Sequence, residues 1–489
     1  MIEVTVNQAG FEYDIHSLVK AFFPGEEVSV RVQEDFTEAA GRRMKVVFTQ
    51  EMVTAEVLED GSTKESRRCP IDPGNRKETK THLKQMIYRA LAAYTGQELP
   101  WGTLTGIRPV KIAMQLLEDG KSNVETAAYM RDVYLASREK AALSVMIANK
   151  ERHVLQGIDY KDGYSLYVGI PFCPSTCLYC SFASYPLARW ENRMDDYLEA
   201  LFQEFDYAAE QFAGRKLNAV YVGGGTPTTL SPERLDRLLV RIRTKFDLSH
   251  VQEFTVEAGR PDSITEEKLK VLLEHGIDRI SINPQTMKDE TLRIIGRHHT
   301  VAQTKEAYAL ARRMGFSHIN MDLIVGLPGE EYADVEHTMQ EIAALAPDSV
   351  TIHSLAIKRA ARLNLFREKY EEMGLHNNMQ IMDMTAGYCA QMGLFPYYLY
   401  RQKNMAGNFE NVGYAKADRA GIYNILMMEE KQDILACGAG TISKRVYPDG
   451  RIERCENVKE VAQYMERIGE MIERKRVLFC CGSGDKTIQ

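Results

Sequence analysis

The sequence predicts an α/β fold in which a parallel sheet, open or curled into a partial barrel, lies between an N-terminal α+β region and a mixed, mainly helical C-terminal extension. Two observations support this prediction. Six short β-type runs alternate with helical stretches between residues 165 and 356, and right-handed crossovers place each strand of such a series beside the last. The length of 489 residues leaves room for further domains, because one domain takes roughly 100–200 residues.

The first third of the chain is predicted to hold a sheet and then helices. Residues 1–63 alternate β-type runs with Gly, Asp and Pro, which predicts a small β-rich domain. Residues 64–80 are charged and contain two prolines and a glycine, so they predict a linker. Apolar residues recur at helical spacing from Leu83 to Tyr94, and residues 81–160 are therefore predicted to be a helical segment.

The central region, residues 161–365, is predicted to form the parallel sheet. The predicted strands are residues 165–172, 218–224, 253–258, 279–284, 318–327 and 349–356. The predicted helices between them include residues 194–212, 232–246, 266–275 and 301–314. Ligands of parallel α/β sheets bind where the strands end and the βα loops meet. Residues at these carboxyl ends are therefore the candidates for a functional site.

The C-terminal part is predicted to be helical at first and then mixed. Residues 366–479 predict one further domain, which includes the polar and aromatic run at 397–414. The last ten residues, 480–489, predict a flexible tail.

Composition narrows the function classes. The chain carries 61 Lys and Arg against 68 Asp and Glu, a net charge of −7, which argues against a general binder of nucleic acid or anionic membranes. No apolar run approaches the ~18 residues of a membrane span, and the first residues do not have the pattern of a secretory signal. We therefore expect a cytoplasmic protein, and its nine cysteines are not expected to form disulfides in a reducing compartment.

Three of the cysteines form a motif at the end of the first predicted central strand. Cys173, Cys177 and Cys180 are spaced C-x3-C-x2-C. Three thiolates on one loop can hold three corners of a cubane iron–sulfur cluster and leave one iron open to an outside ligand. A zinc site or three buried thiols are the alternatives, although zinc usually takes a closed set of four ligands. The position at a strand end favours the cluster.

A glycine turn follows the second central strand. Gly223, Gly224 and Gly225 precede Thr226, and three glycines let a backbone approach a ligand closely. The turn does not have the Walker A pattern. Alone it is a weak signal, and it gains weight because it lies one βα unit after the cysteine loop.

These motifs together resemble a known family. YVGIPFCPSTCLYCSF, YVGGGTPT, TVEA, the spacing from Gln285 to Arg297 and DLIVGLPGE are similar to the radical S-adenosylmethionine (SAM) superfamily, and more narrowly to oxygen-independent coproporphyrinogen III oxidase and its relatives. The extra N-terminal region and the run YRQKNMAGN resemble the coproporphyrinogen dehydrogenase-like branch. The resemblance covers about residues 160–450 and implies a radical SAM partial (βα)6 barrel, with residues 366–479 covering the substrate.

The resemblance also implies roles for individual residues. Cys173, Cys177 and Cys180 would bind a [4Fe-4S] cluster, with the amino and carboxylate groups of SAM at the open iron. The residues implied for SAM are Tyr167, Tyr179, Gly223, Gly224, Gly225, Thr226, Glu257, Gln285, Arg297, Asp322 and Ala356. Among them, Tyr167 and Glu257 are also implied to be catalytic.

The implied roles suit the chemistry of the side chains. Gln285 and Asp322 would hold the ribose hydroxyls, Arg297 the carboxylate of SAM, and the backbone near Ala356 the adenine. A carboxylate accepts the two hydrogen bonds of a diol, and a guanidinium pairs well with a carboxylate. Each residue taken singly could instead be an ordinary surface or helix-cap group. His298 and His299 are predicted to be solvated histidines at a helix end.

Two positions depart from the pattern of the well-characterised oxidases. Phe182 stands where those enzymes have a fourth cysteine, and Gly169 stands where they have a histidine. Phe182 also occurs in haem-chaperone relatives, but the haem-binding pattern H-N-x-x-Y-W has no counterpart after the barrel. The third strand ends in EAGRPD, which places Arg260 near the site.

The resemblance implies a function in haem biosynthesis. A 5′-deoxyadenosyl radical would take a hydrogen atom from a propionate β-carbon of coproporphyrinogen III, and loss of CO2 and one electron would leave a vinyl group. Two such rounds give protoporphyrinogen IX. A haem- or tetrapyrrole-trafficking chaperone without decarboxylase activity, or a radical SAM enzyme that modifies a porphyrin differently, are the alternatives.

The expected partners are a tetrapyrrole and an electron donor such as flavodoxin or ferredoxin, without nucleic acid. An acidic protein needs local cations to hold the carboxylates of a coproporphyrinogen. Arg260, Arg401 and Lys403 are the candidates, and Tyr397, Tyr398 and Tyr400 could flank the flat macrocycle. A solvated basic loop is the alternative for the run around Arg401.

Overall fold

The structure is a computed structural model that describes the chain except for residues 34–40, 107, 181, 183, 357–373, 375, 403, 404, 406, 407 and 481–489. The chain divides into two compact units. Unit 1 comprises Met1–Asn149 and Tyr400–Glu410, and unit 2 comprises Lys150–Leu399 and Asn411–Gln489. None of the described helices is long and apolar enough to cross a membrane.

Unit 1 begins with a five-stranded sheet. Its elements are β1 (Ile2–Val6), α1 (Glu12–Phe22), β2 (Val28–Val32), β3 (Arg42–Phe48), β4 (Met52–Glu59), β5 (Ser62–Pro70) and α2 (Arg76–Thr95). The strands lie in the order β2-β1-β3-β4-β5. Alternate residues of β1, β3 and β4 are buried, and they pack with Ile15 and Leu18 of α1 and Leu83 and Ile87 of α2 in one core.

The predicted linker over residues 64–80 is wrong. Most of that segment belongs to β5 and to the first turns of α2. β5 is an edge strand with mostly exposed, polar residues, so its composition resembles that of a loop. Asn75 begins α2, because its side chain accepts a hydrogen bond from the backbone N–H of Glu78 at 3.1 Å.

Three helices follow in sequence, namely α3 (Val110–Glu118), α4 (Asn123–Tyr134) and α5 (Arg138–Gln156). Ser122 and Glu125 form a capping box at the start of α4. The boundary between the two units falls inside α5. The segment Tyr400–Glu410 belongs to unit 1, where Glu410 is buried and accepts hydrogen bonds from Trp101 Nε1 at 2.7 Å and Lys140 Nζ at 2.6 Å.

Unit 2 contains the six predicted parallel strands. They are β6 (Gly163–Ile170), β9 (Lys216–Gly224), β10 (Glu253–Gly259), β11 (Arg279–Ile282), β12 (His318–Val325) and β13 (Ser349–Ser354). A short strand pair, β7 (Phe172–Cys173) and β8 (Tyr185–Pro186), lies between β6 and β9 in the chain. The helices between them are α6 (Met194–Gln211), α7 (Pro232–Lys245), α8 (Glu266–Glu274), α9 (Asp289–Ile294), α10 (Val301–Met314) and α11 (Tyr332–Leu345). Each strand pairs in parallel with the next. The predicted α/β fold is confirmed.

The C-terminal residues extend the same sheet. They form α12 (Met379–Gln391), β14 (Phe395–Tyr400), β15 (Asn411–Ala415), α13 (Ile422–Glu429), β16 (Asp433–Cys437), β17 (Ile442–Val446), β18 (Ile452–Glu456), α14 (Val461–Glu466) and α15 (Ile468–Cys480). The order is β14-β15-β13-β12-β11-β10-β9-β6-β16-β17-β18, and β16 is parallel to β6. Most of the segment predicted as a separate domain, 366–479, therefore belongs to unit 2, because the fully buried β16 pairs beside β6.

A buried ion pair ties the C-terminal helix to the sheet. Lys475 of α15 lies 2.5 Å from Glu204 of α6, and both side chains are at most 1% exposed. Glu204 also accepts hydrogen bonds from Tyr464, Asn457 and the backbone N–H of Gly438 at 2.6–2.8 Å. Every lone pair direction of this buried carboxylate is thus occupied, which offsets much of its desolvation cost.

Replacing Lys475 with Met should destabilise the protein by roughly 3–5 kcal/mol, because Glu204 would remain as an uncompensated buried charge. Urea denaturation of the purified protein measures this loss. Arg476→Met is the matched control on the same helix: Arg476 pairs with Glu473 on the surface, with both side chains 55% exposed, so its loss should cost less than about 1 kcal/mol. Equal losses of stability in the two variants would contradict the conclusion that the Lys475–Glu204 ion pair stabilises the fold.

Candidate cofactor and active site

The cysteine loop starts at the end of β6 and docks on a later loop. Cys173 is the last residue of β7, and Cys177 and Cys180 follow within the next turn. The backbone N–H of Leu178 donates to the carbonyl of Ile295 at 2.9 Å, and the Ser175 hydroxyl donates to the carbonyl of Gly296 at 2.8 Å. These bonds fix the loop against the segment that follows α9.

The thiols of the loop are free and have polar neighbours. The Thr226 hydroxyl donates to Cys173 Sγ at 3.5 Å, and Cys180 Sγ lies 3.7 Å from the Ser184 hydroxyl. Burial raises the pKa of Cys173 to about 11 and also raises the pKa of Cys180. These two thiols are therefore protonated at neutral pH until a metal displaces the proton.

The structure does not present a preformed site for a single metal ion. Over the described part of the chain, no three His, Cys, Asp or Glu side chains converge closely enough to hold one ion. The assignment of a polynuclear cluster therefore depends on the cysteine spacing and on the protein family.

The glycine turn packs directly beneath the cysteine loop. The backbone N–H of Gly225 donates to the carbonyl of Ile170 at 2.9 Å, and that of Thr226 donates to the carbonyl of Phe172 at 2.7 Å. A Cβ atom on Gly225 would lie 2.6 Å from the Phe172 oxygen, and Gly224 has a φ of +103°. Only glycine fits both positions.

Glu257 lies beside this turn on β10. The Tyr221 hydroxyl donates to Glu257 Oε1 at 2.5 Å, and a Cβ atom on Gly223 would lie 3.0 Å from Glu257 Cδ. Burial raises the pKa of Glu257 to about 7, with a smaller rise from Asp322, while the Tyr221 hydrogen bond lowers it. Glu257 can therefore hold or release a proton near neutral pH.

Three tyrosines are stacked next to Glu257. The ring centroids of Tyr167 and Tyr221 are 6.0 Å apart, and those of Tyr221 and Tyr423 are 4.6 Å apart. Tyr423 belongs to α13, whose first residue, Ile422, donates its backbone N–H to Glu253 at the start of β10 at 2.6 Å. No sequence pattern predicts a place for Tyr423 in this site, because its helix lies about 200 residues further along the chain than Tyr221.

Gln285 and Asp322 lie side by side after β11 and on β12. Gln285 has a φ of +71°, and its backbone N–H donates to the carbonyl of Asp322 at 3.0 Å. Asn320 Nδ2 donates to Asp322 Oδ1 at 2.8 Å. Burial works to raise the pKa of Asp322, but His353 and Asn320 lower it overall, so the group is a carboxylate. This left-handed backbone conformation is uncommon for a residue other than glycine.

Arg297 lies next to the cysteine loop. Its Nη1 donates to the carbonyl of Asn283 at 2.5 Å, while its Nε is buried without a partner among the described residues. Burial works to lower the pKa of Arg297, but Tyr179 and Cys177 beside it raise the pKa above its usual range. Arg297 is therefore a permanent cation near the cysteines.

Two predictions about neighbouring residues need correction. Arg260 is only 3% exposed, and Asp262 and the cysteine loop take up its guanidinium, so its position does not suit a clamp on a substrate carboxylate. His298 is exposed as predicted, but His299 is 2% exposed. Burial, with a contribution from Arg297, lowers the pKa of His299 to about 3, so its ring is neutral.

The residues proposed for the substrate lie in several places. Arg401 belongs to unit 1, where it donates to the carbonyl of Leu104 at 2.5 Å and to Asn408 Oδ1 at 2.8 Å. Lys403 lies outside the described residues. Tyr397 and Tyr398 are 1% and 5% exposed, which contradicts their predicted place beside a macrocycle. Ala356 follows β13 and is partly exposed.

Comparison with known proteins identifies the family of this chain. The radical SAM superfamily profile matches residues 167–342. The chain is 41% identical over 404 residues to the oxygen-independent coproporphyrinogen-III oxidase-like protein HemZ of Bacillus subtilis (strain 168), covering 82% of this chain and 81% of HemZ. The chain belongs to the oxygen-independent coproporphyrinogen III oxidase family of radical SAM proteins.

Two further relatives share less sequence identity with the chain. The heme chaperone HemW of Bacillus subtilis (strain 168) is 32% identical over 63% of this chain and 76% of its own length. The structure of coproporphyrinogen III oxidase (HemN) from Escherichia coli has a TM-score of 0.52 and 25% identity, and the match covers 66% of this chain and 73% of HemN. Radical SAM proteins use a [4Fe-4S] cluster and SAM.

The residues of the site fit these two groups. The three free thiols lie on one loop, and the glycine turn beneath them leaves no room for a side chain at Gly225. Gln285 Oε1, after β11, and Arg297 Nε, after α9, are buried polar atoms that have no partner among the described residues. Such atoms are costly unless a ligand or water pairs with them.

Replacing Glu257 with Gln should change the pH dependence of stability. Because the pKa of Glu257 is raised from 4.5 to about 7, the folded protein binds more protons than the unfolded chain in this window, and its stability falls as pH rises from about 4.5 to about 7. Glu257→Gln does not titrate and so does not lose this stability. The melting temperature of Glu257→Gln minus that of the unmodified protein, both without cofactors, should therefore increase from pH 5 to pH 8. The control Glu274→Gln, at an exposed site, should show no such increase.

Cys177→Ser should abolish the brown visible absorbance and bound iron of the anaerobically reconstituted protein, because it removes one of three proposed ligands. Cys480→Ser is the control, since Cys480 is exposed at the end of α15. Iron content and absorbance equal to those of the unmodified protein in Cys177→Ser would exclude this residue as a ligand.

Proposed function

We propose that the protein is a radical SAM enzyme that converts coproporphyrinogen III to protoporphyrinogen IX by oxygen-independent oxidative decarboxylation. The observation that carries the proposal is the 41% identity to an oxygen-independent coproporphyrinogen-III oxidase-like protein over 82% of the chain. Each of two rounds removes one hydrogen atom, one CO2 and one electron from a propionate side chain and leaves a vinyl group. An electron donor such as flavodoxin or ferredoxin fits a cytoplasmic enzyme of this kind.

The strand-end residues are the proposed cofactor site. Cys173, Cys177 and Cys180 would hold the [4Fe-4S] cluster. The residues proposed for SAM are Tyr167, Tyr179, Gly223, Gly224, Gly225, Thr226, Glu257, Gln285, Arg297, Asp322 and Ala356. When bound, the cluster and SAM supply the carbon radical that removes a hydrogen atom from the substrate.

Individual side chains support this assignment. The Asp322 carboxylate, which Asn320 orients, can accept two hydrogen bonds from a ribose diol. Arg297 offers a fixed positive charge for the carboxylate of SAM. Glu257 can accept a hydrogen bond from an ammonium group when ionised, and its proton at lower pH would weaken that contact.

The tyrosines give the site a rigid, apolar wall. Tyr167, Tyr221 and Tyr423 stack on one another, and Tyr221 orients the Glu257 carboxyl. Such a wall limits the entry of water beside the cofactors, which protects a reactive radical from side reactions. Catalytic roles for Tyr167 and Glu257 are part of the proposal.

A second candidate function is a tetrapyrrole-trafficking chaperone without decarboxylase activity. A Cβ atom on Gly169 would lie 2.5 Å from Thr441 Cγ2, so the histidine of the well-characterised oxidases does not fit there without rearrangement. Phe182, at the position of their fourth cysteine, is 71% exposed. A third candidate, favoured by the same two departures, is a radical SAM enzyme that modifies a porphyrin differently.

Anaerobic product analysis separates these candidates. The reconstituted protein is incubated with coproporphyrinogen III, SAM and a low-potential reductant, and the oxidised products are resolved by chromatography and mass spectrometry. The proposal predicts the loss of two CO2 and formation of protoporphyrin, with two SAM molecules cleaved per product. Tetrapyrrole binding without a change in its mass would favour the chaperone, and a different mass change would favour the third candidate.

A further inference from the structure

We propose that Arg260 and Asp262 form an ion pair that sets the reduction potential of the cluster by controlling the charge beside Cys177. The inference depends on the cluster proposed above but not on the identity of the tetrapyrrole. Arg260 is a positioning residue in this proposal, because it contacts the cysteine loop and not the substrate.

Arg260 is a buried cation on a loop. It follows β10 and begins the short turn Pro261–Ser263. Its side chain is 3% exposed, although a guanidinium on a loop is usually solvated. A buried cation on a loop requires specific partners to offset its desolvation.

The guanidinium of Arg260 has partners on the cysteine loop and on Asp262. Nη1 donates to the Ser175 hydroxyl at 2.9 Å and lies 3.8 Å from Cys177 Sγ. Nε and Nη2 donate to the two carboxylate oxygens of Asp262 at 3.0 and 2.7 Å. The guanidinium therefore lies between a carboxylate on one side and a proposed cluster ligand on the other.

The charges of this ion pair act on the charge of the proposed cluster. A cluster with three thiolate ligands becomes one charge more negative when it gains an electron. In a poorly solvated site, a cation beside Cys177 stabilises that extra charge strongly. Arg260 should therefore favour the reduced cluster, and Asp262, which neutralises part of this cation, should oppose it.

Two other described side chains lie near this ion pair or near Cys177. Arg297 also lies beside Cys177 and is a second cation. His299 is 4.0 Å from Asp262, but its ring is neutral because burial lowers its pKa to about 3. Burial works to raise the pKa of Asp262, whereas Arg260 lowers it overall, so this residue carries a full negative charge.

The two members of the pair allow a test by the sign of the change. Arg260→Gln removes the cation and leaves Asp262 charged, so the midpoint potential should fall. Asp262→Asn removes the anion and leaves Arg260 charged, so the potential should rise. A purely structural role would not move the two potentials in opposite directions.

The measurement is an anaerobic redox titration of the reconstituted holoprotein without SAM, followed by the electron paramagnetic resonance signal of the reduced cluster. In Arg260→Gln, the ratio of reduced to oxidised cluster at a fixed potential should fall roughly tenfold, which corresponds to 59 mV for one electron. Arg260→Lys keeps the charge and should restore most of the potential.

Arg241→Gln is the matched control. Arg241 pairs with Asp206 between α7 and α6, and the two side chains are 31% and 44% exposed, so the potential should not change. Shifts of the same sign in Arg260→Gln and Asp262→Asn, or no shift in either, would overturn the proposal. If Arg260→Gln does not retain its cluster, an unchanged or lower potential in Asp262→Asn overturns it instead. The titration contains no tetrapyrrole, so its outcome is independent of the proposed decarboxylation.

Discussion

The parallel pairing of β6 with β9 is the constraint on which the site depends. Gly169 pairs with Gly223 and Ile170 with Gly224, so both strands end at the same level. The cysteine loop that leaves β6 therefore lies directly over the glycine turn that leaves β9. Two backbone hydrogen bonds, from Gly225 and Thr226, then join the loop and the turn. A shift of this register by one residue would break both bonds and displace the cysteine loop from the glycine turn by about 3.3 Å.

Charge balance around the loop is the second constraint. Two buried cations, Arg260 and Arg297, lie beside Cys177. Two carboxyl groups, Glu257 and Asp322, lie on β10 and β12 of the same sheet. Their environments shift the pKa values of the two carboxyl groups in opposite directions: Glu257 gains a proton near neutral pH, while Asp322 stays ionised. Different pKa values for similar groups are typical of sites that bind charged cofactors and transfer protons.

Much of this arrangement could be predicted from the sequence, because it follows from periodic patterns. The six central strands and four of their helices lie within two residues of their predicted bounds, and strand order then places Cys173, Glu257 and Asp322 at related positions. The edge strand β5 cannot be predicted in this way, because its mostly exposed, polar residues do not alternate between apolar and polar. Burial of His299 and the pairing of Arg260 depend on the tertiary fold, and local composition does not reveal them.

Contacts between distant segments were also beyond the sequence. Tyr423 completes a stack with Tyr167 and Tyr221, and the segment Tyr400–Glu410 joins the N-terminal unit, although neither carries a periodic signal. The segment Tyr400–Glu410 and residues Met1–Asn149 thus belong to one compact unit. The polar and aromatic composition of its segment predicts a substrate role for Arg401, whereas the fold gives it Leu104 and Asn408 as partners within this unit.

The proposed site places a cluster on three cysteines and leaves its fourth iron to SAM. Mössbauer spectroscopy of the protein reconstituted with 57Fe, recorded with and without SAM, can detect this arrangement. We expect one iron in four to change its isomer shift when SAM binds, while the other three keep theirs. Four irons that do not respond to SAM would exclude this arrangement.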